Sequence, residues 1–414
     1  MTIRFKPLFF IVFIVLILSV SYIKICKLDN KCTNSTADFI SPVSKTFSFS
    51  SFFGAKTETP KYIVYGYLPY WTLNMTKYFQ LDKLTDIAYF GLNIKEDGTF
   101  RKILDDGTAD PGYDKWRNSA ALVDLIIKAK PFNTRFALTV ISHEDSISDK
   151  FLNCRSCWDT FMLSLEKELD YHNIKNVNLN FEYVELTTPE IAQKYTDFTS
   201  FVSRTLKSRY GEKSFLVVAT FADSRVKSRV TNIETLSQVA DALFIMAYDF
   251  HHPNSDNAGP VAPIGGIGVH AEYDIETMLK DYLSVADPSK IILGVPYYGY
   301  NWVVESQDQL AKRVPGNDSN GFSQSQTYSD IMDTILKVKP EIKWDDLGQT
   351  PYFTYISPES RATRQVYYED SKSLKLKYEL AKSHKLGGVG MWALGYDEGY
   401  TDFWDLLNTE FFAK

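Results

Sequence analysis

The sequence predicts an α/β fold, a (β/α)8 TIM barrel with a small α+β insertion between its seventh and eighth strands. Three observations lead to this fold. Strand-like segments alternate with segments of helical periodicity, the pattern of a parallel sheet covered by helices. These strand-like segments number eight, the count that closes into a barrel. The fourth segment carries polar residues toward its C-terminal end, where active sites of this fold lie.

The elements follow from composition and periodicity. Apolar residues recur with helical spacing between most strands, for example at 119–130, 158–172 and 191–210. The eight predicted strands lie at residues 62–68, 85–93, 135–142, 176–183, 214–220, 242–248, 290–297 and 387–392.

A long connection follows the predicted seventh strand. About 65 residues separate this strand from Tyr367, where the regular pattern of strands and helices resumes. Connections of that length in compact domains are usually functional. Weak strand patterns at 352–356 and 364–368 lie within it. We expect an α+β insertion at about 303–366.

The predicted fourth strand alternates strictly between apolar and polar residues. The alternating residues are Val177, Asn178, Leu179, Asn180, Phe181 and Glu182. A half-solvated antiparallel strand gives the same alternation. The neighbouring helices favour a barrel strand instead, which places Glu182 at the mouth of the barrel with Asn180 and Asn178 beneath it on the same face.

Composition excludes several function classes. The net charge is −6 and no dense basic cluster occurs, so we do not expect a nucleic-acid partner. Neither standard glycine-rich phosphate loop is present. The four cysteines and six histidines show no zinc-site spacing, and we therefore predict no metal and no cofactor. We expect a monomer.

The N-terminus resembles a targeting segment. Arg4 and Lys6 precede an apolar run at about 8–23, which predicts export of the following domain. Residues 1–27 fit either a signal anchor or a cleaved signal peptide, so the domain is expected to be extracytoplasmic, tethered to the membrane or secreted. Residues 28–60 are polar and aperiodic, as in a linker, and 61–414 form the barrel domain.

Two cysteines of the exported part lie close in sequence. Cys154 and Cys157 flank Arg155 and Ser156 just before a predicted helix. In an oxidising compartment they could form a local disulfide. A redox-active role would need a thioredoxin-like context, which is absent here.

The predicted sixth strand ends in a second polar motif. Met246 and Tyr248 share one face, and Asp249 follows at the strand end. The motif has a structural interpretation, a buried tyrosine beside a capping aspartate. It also has a functional one, since both side chains reach the same end of the barrel as Glu182.

Taken together, these motifs resemble family 18 of the glycoside hydrolases, the chitinase-like family, and its bacterial branch most. The resemblance covers about residues 61–412. The fourth-strand signature of that family is Asp-Gly-x-Asp-x-Asp-x-Glu, and residues 175–182 align with it. Only Glu182 is kept, with Asn178 and Asn180 at two aspartate positions. Met246-Ala-Tyr-Asp249 matches the second signature, Met-x-Tyr-Asp.

The resemblance implies a role for each matching residue. Glu182 would be the general acid, and Asn180 would contact the substrate acetamido group without supplying the family's negative charge. Tyr248 would hold the acetamido carbonyl, and Asp249 would form hydrogen bonds near the scissile bond. We expected burial at the barrel mouth to raise the pKa of Glu182 and keep it protonated.

Aromatic residues cluster at the predicted strand ends, as a glycan groove requires, because sugar rings pack their C–H faces on aromatic rings. By resemblance, Trp392 forms the floor of the subsite beside the cleaved bond. Aromatic residues are also common in barrel cores, where they serve packing rather than ligand binding. The candidate substrate-binding residues are Tyr67, Trp71, Asn178, Met246, Tyr298 and Trp392.

Three functions remain open at this point. The first is a hydrolase of β-1,4-linked N-acetylglucosamine glycans, such as chitin or peptidoglycan, that uses substrate assistance. The second is a non-catalytic, chitinase-like glycan-binding protein. The third is a barrel with unrelated chemistry. Glu182, Tyr248, Asp249 and Trp392 favour the hydrolase, whereas Asn180 favours the binding protein.

Overall fold

The computed structural model describes residues 61–413. The predicted targeting segment and linker, residues 1–60, lie outside this described part. Eight parallel strands form a closed barrel, as predicted. In chain order these strands are β1 (Ile63–Pro69), β2 (Asp86–Asn93), β3 (Arg135–Ser142), β4 (Asn176–Phe181), β5 (Leu216–Phe221), β6 (Ala242–Met246), β7 (Ile291–Pro296) and, after an insertion, β13 (Gly388–Trp392).

Strand β13 closes the barrel by pairing with both β1 and β7. The other strands pair with their neighbours in chain order. Strands β4 and β6 end earlier than predicted, so Glu182, Tyr248 and Asp249 lie just beyond them. Asp249 adopts a left-handed backbone with φ of 61°, a conformation that aspartate tolerates better than most residues.

Helices cover the outside of the barrel. In α5 (Pro189–Tyr210), buried residues recur at Ala192, Tyr195, Phe198 and Val202, which form one apolar face of the helix. Thr188 caps this helix by accepting a hydrogen bond from the Ile191 amide. The helices are α1 (Pro111–Asn118), α2 (Ala120–Ala129), α3 (Asp145–Leu152), α4 (Arg155–His172), α5 (Pro189–Tyr210), α6 (Ile233–Val239), α7 (Ile275–Leu283), α8 (Tyr328–Val338), α9 (Ser371–Ser383) and α10 (Asp402–Leu407).

The insertion contains a second, antiparallel sheet of five strands, in the order β10 (Lys343–Asp345), β11 (Thr350–Ile356), β12 (Thr363–Tyr367), β8 (Tyr298–Val303) and β9 (Gln324–Thr327). It begins at Tyr298, five residues before the expected start at about 303, because the chain leaves β7 directly into β8. Helix α8 follows β9 and completes the α+β character of the insertion.

Aromatic residues cluster in the barrel interior. Tyr65, Tyr67, Phe90 and Phe244 pack together inside it, apart from the larger apolar layer between strands and helices. Asn178 is completely buried in this interior, where its amide donates to Thr139 Oγ1 at 3.4 Å. The polar face of β4 therefore points into the barrel, as the alternation predicted.

Two further features concern export. Cys154, the N-cap residue of α4, forms a disulfide with Cys157 in the first turn of that helix. Within residues 61–413, no helix combines the length and apolar character needed to cross a membrane. The predicted span at 8–23 falls outside those residues.

Candidate active site

A pocket of about 370 Å³ opens at the C-terminal ends of the barrel strands. It contains every candidate site residue predicted from the sequence except Asn178. The pocket is lined by Tyr67, Trp71, Phe90, His143, Asn180, Glu182, Phe221, Met246, Tyr248, Asp249, Tyr298 and Trp392. Residues far apart in sequence meet here because parallel strands present their C-terminal ends on one face.

Glu182 lies at the centre of a small polar cluster. The Asn180 amide donates a hydrogen bond to Glu182 Oε1 at 2.7 Å. His143, the residue after β3, places its Nε2 atom 3.0 Å from the same oxygen and 3.3 Å from Asn180 Nδ2. The side chain of Glu182 is 31% exposed and that of His143 is 44% exposed, so both can meet a ligand.

The expected pKa of Glu182 was wrong in direction. Burial raises the pKa of this carboxyl, but the contacts with His143 and Asn180 lower it by more. The net pKa lies below the ordinary value, because both neighbours stabilise the negatively charged form. In the free protein near neutral pH, Glu182 is therefore a carboxylate.

Asp249 is the second carboxyl of the pocket. The hydroxyls of Tyr298 and Tyr300 both donate to its Oδ1 atom, the latter at 2.6 Å. Burial raises the pKa of Asp249, and this effect exceeds the lowering by the two phenol hydrogen bonds. The two tyrosines hold Asp249 in a fixed orientation, and Tyr298 thus acts on the site through Asp249 as well as lining the pocket.

Aromatic rings form much of the remaining wall. The Trp392 ring meets Phe90 edge to face with ring centres 4.7 Å apart, and it also contacts Tyr67 and Trp71. Trp71 is 46% exposed, whereas Tyr67 is buried. This arrangement gives the pocket an aromatic wall, which suits a sugar ring.

Asn178 is the one predicted site residue that does not reach the pocket. It precedes Asn180 by two residues on the same face of β4 and is completely buried within the barrel. Its Oδ1 atom has no hydrogen-bond partner among the described residues. It does not line the pocket in this structure, and its contact with substrate stays a prediction.

Three lining residues were not predicted from the sequence: His143, Phe90 and Phe221. His143 lies beyond the end of a strand with no motif around it. The signal that could have found it is the register between β3 and β4, in which Ile141 pairs with Asn180 and Ser142 with Phe181. That register places the residue after Ser142 beside Glu182.

The other end of the barrel carries a larger cavity of about 830 Å³, lined where β3, β4 and β5 begin. Catalytic groups of this fold lie at the opposite end, so this cavity is not the candidate site. Among residues 61–413, no group of three or more histidine, cysteine or acidic side chains is arranged to hold a metal ion.

Comparison with known proteins identifies the family. The model of glycosyl hydrolases family 18 matches residues 63–397, most of the described chain. The protein belongs to this family. As a member of family 18 it is a glycoside hydrolase, as the motifs predicted.

Similar proteins include bacterial glycosylases. The cortical fragment-lytic enzyme of Bacillus anthracis is 26% identical over 330 residues, which cover 79% of this chain and 68% of that protein. The putative sporulation-specific glycosylase YdhD of Bacillus subtilis (strain 168) is 29% identical over 291 residues, covering 68% of this chain and 62% of that protein.

Solved structures share the barrel of this family 18 protein. The spore cortex-lytic enzyme SleL of Bacillus megaterium QM B1551 matches with a TM-score of 0.66 at 20% identity, over 86% of this chain and 75% of that one. A Group IV chitinase of Ostrinia furnacalis, in complex with allosamidin, matches with a TM-score of 0.69 at 19% identity, over 84% and 97% of the two chains. At these identities the likeness shows the fold.

Proposed function

We propose that this protein hydrolyses β-1,4 linkages next to N-acetylglucosamine in chitin-like or peptidoglycan glycans, by substrate-assisted retaining chemistry. The observation that carries the proposal is the convergence of Glu182, Asn180, Tyr248, Asp249 and Trp392 in one pocket at the barrel mouth. These groups supply a proton donor, amide and phenol contacts for an acetamido group, and an aromatic wall for a sugar ring.

The carboxyl arrangement supports substrate assistance over a protein nucleophile. The two carboxyls that line the pocket are Glu182 and Asp249, and Tyr298 and Tyr300 hold the latter. An ordinary retaining glycosidase needs a second free carboxylate as nucleophile. In our proposal the acetamido oxygen of the substrate attacks the anomeric carbon, and Glu182 protonates the departing glycosidic oxygen. The Glu182 carboxylate then takes a proton from the water that opens the oxazolinium.

Asn180 sets the expected rate. Its amide can bind the acetamido group but cannot balance the positive charge of the oxazolinium. Loss of one preorganised electrostatic partner typically costs about 10²–10³ in rate. We therefore propose a slow enzyme whose binding groove is intact.

The choice of glycan rests on similar proteins. One relative is named for lysis of cortical fragments, and matching chitinase structures contain allosamidin or N-acetylglucosamine oligomers. We take N-acetylglucosamine, the sugar of the oligomer in one of these chitinase complexes, as the unit of the proposed substrate. The predicted segment at 8–23 adds that the enzyme acts outside the cytoplasm, tethered to the membrane or secreted, and we propose that it acts as a monomer.

A glycan-binding protein without turnover is the second candidate, and Asn180 is the observation that favours it. An assay on the full chain separates the two. Release of a chromophore from a chitooligosaccharide and of reducing ends from purified peptidoglycan measures turnover, while calorimetry measures binding of chitotriose. Turnover on either substrate supports the hydrolase; binding with no turnover on both favours the second candidate. The absence of binding and turnover would contradict both.

A further inference from the structure

His143 contacts the reactive carboxyl directly, although no motif marks it. Its Nε2 atom is 3.0 Å from Glu182 Oε1, a hydrogen-bond distance. An ionised carboxylate can only accept, so Nε2 carries the proton in that state. If the proton moves to Oε1, Nε2 becomes the acceptor and the same hydrogen bond persists. One proton can thus occupy either side of this contact.

This contact addresses a difficulty with Glu182 as general acid. Asn180 donates to Oε1 and His143 lies beside it, and both contacts favour the carboxylate. A carboxylate has no proton to give to a departing glycosidic oxygen. The site therefore needs a proton that is stored next to Glu182 and reaches it when substrate is bound.

We propose that His143 stores the catalytic proton and delivers it to Glu182 when a glycan fills the pocket. This inference rests on the proposed function, because it concerns the proton that Glu182 gives to the substrate. In the family signature quoted above, an aspartate stands where this chain has Asn180. His143 supplies here a titratable partner that Asn180 cannot be.

The proton balance is simple. In the proposed cycle the pair starts with one proton on His143 Nε2 and with Glu182 ionised. When the glycan binds, that proton crosses to Oε1 and both side chains become neutral. Glu182 then gives it to the glycosidic oxygen as the bond from carbon 1 to that oxygen breaks and the acetamido oxygen bonds carbon 1. Water later attacks carbon 1, its proton passes to Glu182, and the proton returns to Nε2.

Desolvation supplies the driving force. The His143 side chain is 44% exposed in the open pocket, so a bound glycan removes it and Glu182 from water together. Loss of water penalises an ion pair more than a neutral hydrogen-bonded pair. Phe90, with its ring centre 6.1 Å from that of His143, makes one side of this contact apolar already.

Other titratable groups also influence the pair. Tyr67 from β1, and Tyr248 and Asp249 after β6, interact electrostatically with Glu182. His143 is followed in the chain by Glu144 and Asp145, and Asp145 is engaged by the backbone amides of Val184 and Glu185. Among these groups, His143 is the one within hydrogen-bond distance of Oε1, and its Nε2 atom can carry and donate a proton.

The test compares His143→Gln with a matched control, His384→Gln, in the full chain. Glutamine retains an N–H donor for Glu182 but cannot give up a proton, and His384 is exposed at the end of α9, away from the pocket. We expect the alkaline limb of kcat/KM for a chitooligosaccharide to move to lower pH by at least about one unit. Near pH 7.5 the rate should fall about tenfold or more, with less than about twofold change near pH 5.

A spectroscopic readout separates this inference from the proposed function. The carboxyl carbon of Glu182, followed by ¹³C NMR, should titrate in two steps in the wild type, because coupled groups share their protons. It should titrate in one step in His143→Gln. With thio-linked chitotriose bound near neutral pH, the signal should move toward the protonated form in the wild type only.

The outcomes are distinct. A uniform fall in kcat/KM at every pH in His143→Gln would make the histidine a positioning residue and overturn the proposal. A single-step titration of Glu182 in the wild type would overturn it even if the enzyme is active. A wild type without turnover contradicts the proposed function alone, since the two-step titration of the free protein still tests proton sharing.

Discussion

Asn180 donates a 2.7 Å hydrogen bond to Glu182, the only residue of the fourth-strand signature that this chain keeps. The two side chains share the inward face of β4 and its extension. An aspartate at this position would repel the carboxylate of Glu182, so one of the two would hold a proton. The amide removes that repulsion and stabilises the ionised form instead.

Replacing Asn180 with aspartate should therefore increase turnover. The new carboxylate would restore negative charge beside the cationic oxazolinium and favour a protonated Glu182. We expect Asn180→Asp to raise kcat on an N-acetylated chitooligosaccharide at least about tenfold, or about 1.4 kcal/mol of barrier. Steady-state kinetics measures the gain.

Deacetylated chitooligosaccharide provides the control for Asn180→Asp. Such substrates cannot form the oxazolinium and should gain nothing. An equal gain on them, or no gain in a folded variant that still binds chitotriose, would contradict the role assigned to position 180.

Trp392 should contribute binding rather than chemistry. Its ring forms a fixed wall with Phe90, Tyr67 and Trp71, on which a sugar can pack. We expect Trp392→Ala to weaken chitotriose binding at least about tenfold, or about 1.4 kcal/mol, measured by calorimetry. Trp344→Ala, in β10 and outside the pocket, is the matched control. Unchanged affinity in Trp392→Ala would remove this ring from the binding site.

Asp397 makes stability depend on pH. Burial raises its pKa to about 6, and its Oδ2 atom accepts from Trp404 Nε1 at 2.6 Å. The folded state therefore binds the proton of the Asp397 carboxyl more tightly than the unfolded state does. Its stabilising effect is complete below the ordinary pKa of 3.8 and is lost as pH rises through about 6.

Removing this carboxylate should stabilise the protein at neutral pH. Asp397→Asn retains an acceptor for Trp404 and cannot ionise. We expect the free energy of unfolding of Asp397→Asn to exceed that of the wild type by about 1–3 kcal/mol above pH 7 and to differ little near pH 4. Denaturant unfolding at both pH values measures this difference. Asp105→Asn, on an exposed loop, is the control. A gain that is equal at both pH values would assign the effect to something other than ionisation.

Local periodicity predicted the barrel, and the motifs that resemble family 18 predicted most of the residues that line the pocket. Alternation in β4 oriented Glu182, and the motif after β6 placed Asp249. Tyr298 was predicted to follow the seventh strand, and in the structure it begins the second sheet, separated from the end of β7 by one residue.

Contacts between different strands could not be predicted from local sequence patterns. His143 reaches Glu182 only through the register of β3 against β4, a long-range property. For this reason the predicted direction of the pKa shift at Glu182 was wrong. Burial of Glu182 could be predicted from the fold, but the opposing contact with His143 depends on the register between β3 and β4. Asn178 faces inward as predicted but lies too deep to line the pocket.

Glu182→Gln in the full-length protein tests the central claim most directly. Glutamine preserves the shape of the side chain and removes the proton donor, so turnover of an N-acetylated chitooligosaccharide should fall by about 10²–10⁴. Binding of chitotriose should persist, and the matched variant Glu185→Gln, exposed on the neighbouring loop, should keep wild-type turnover. Turnover by Glu182→Gln within about threefold of wild type would contradict the assignment of Glu182 as the general acid.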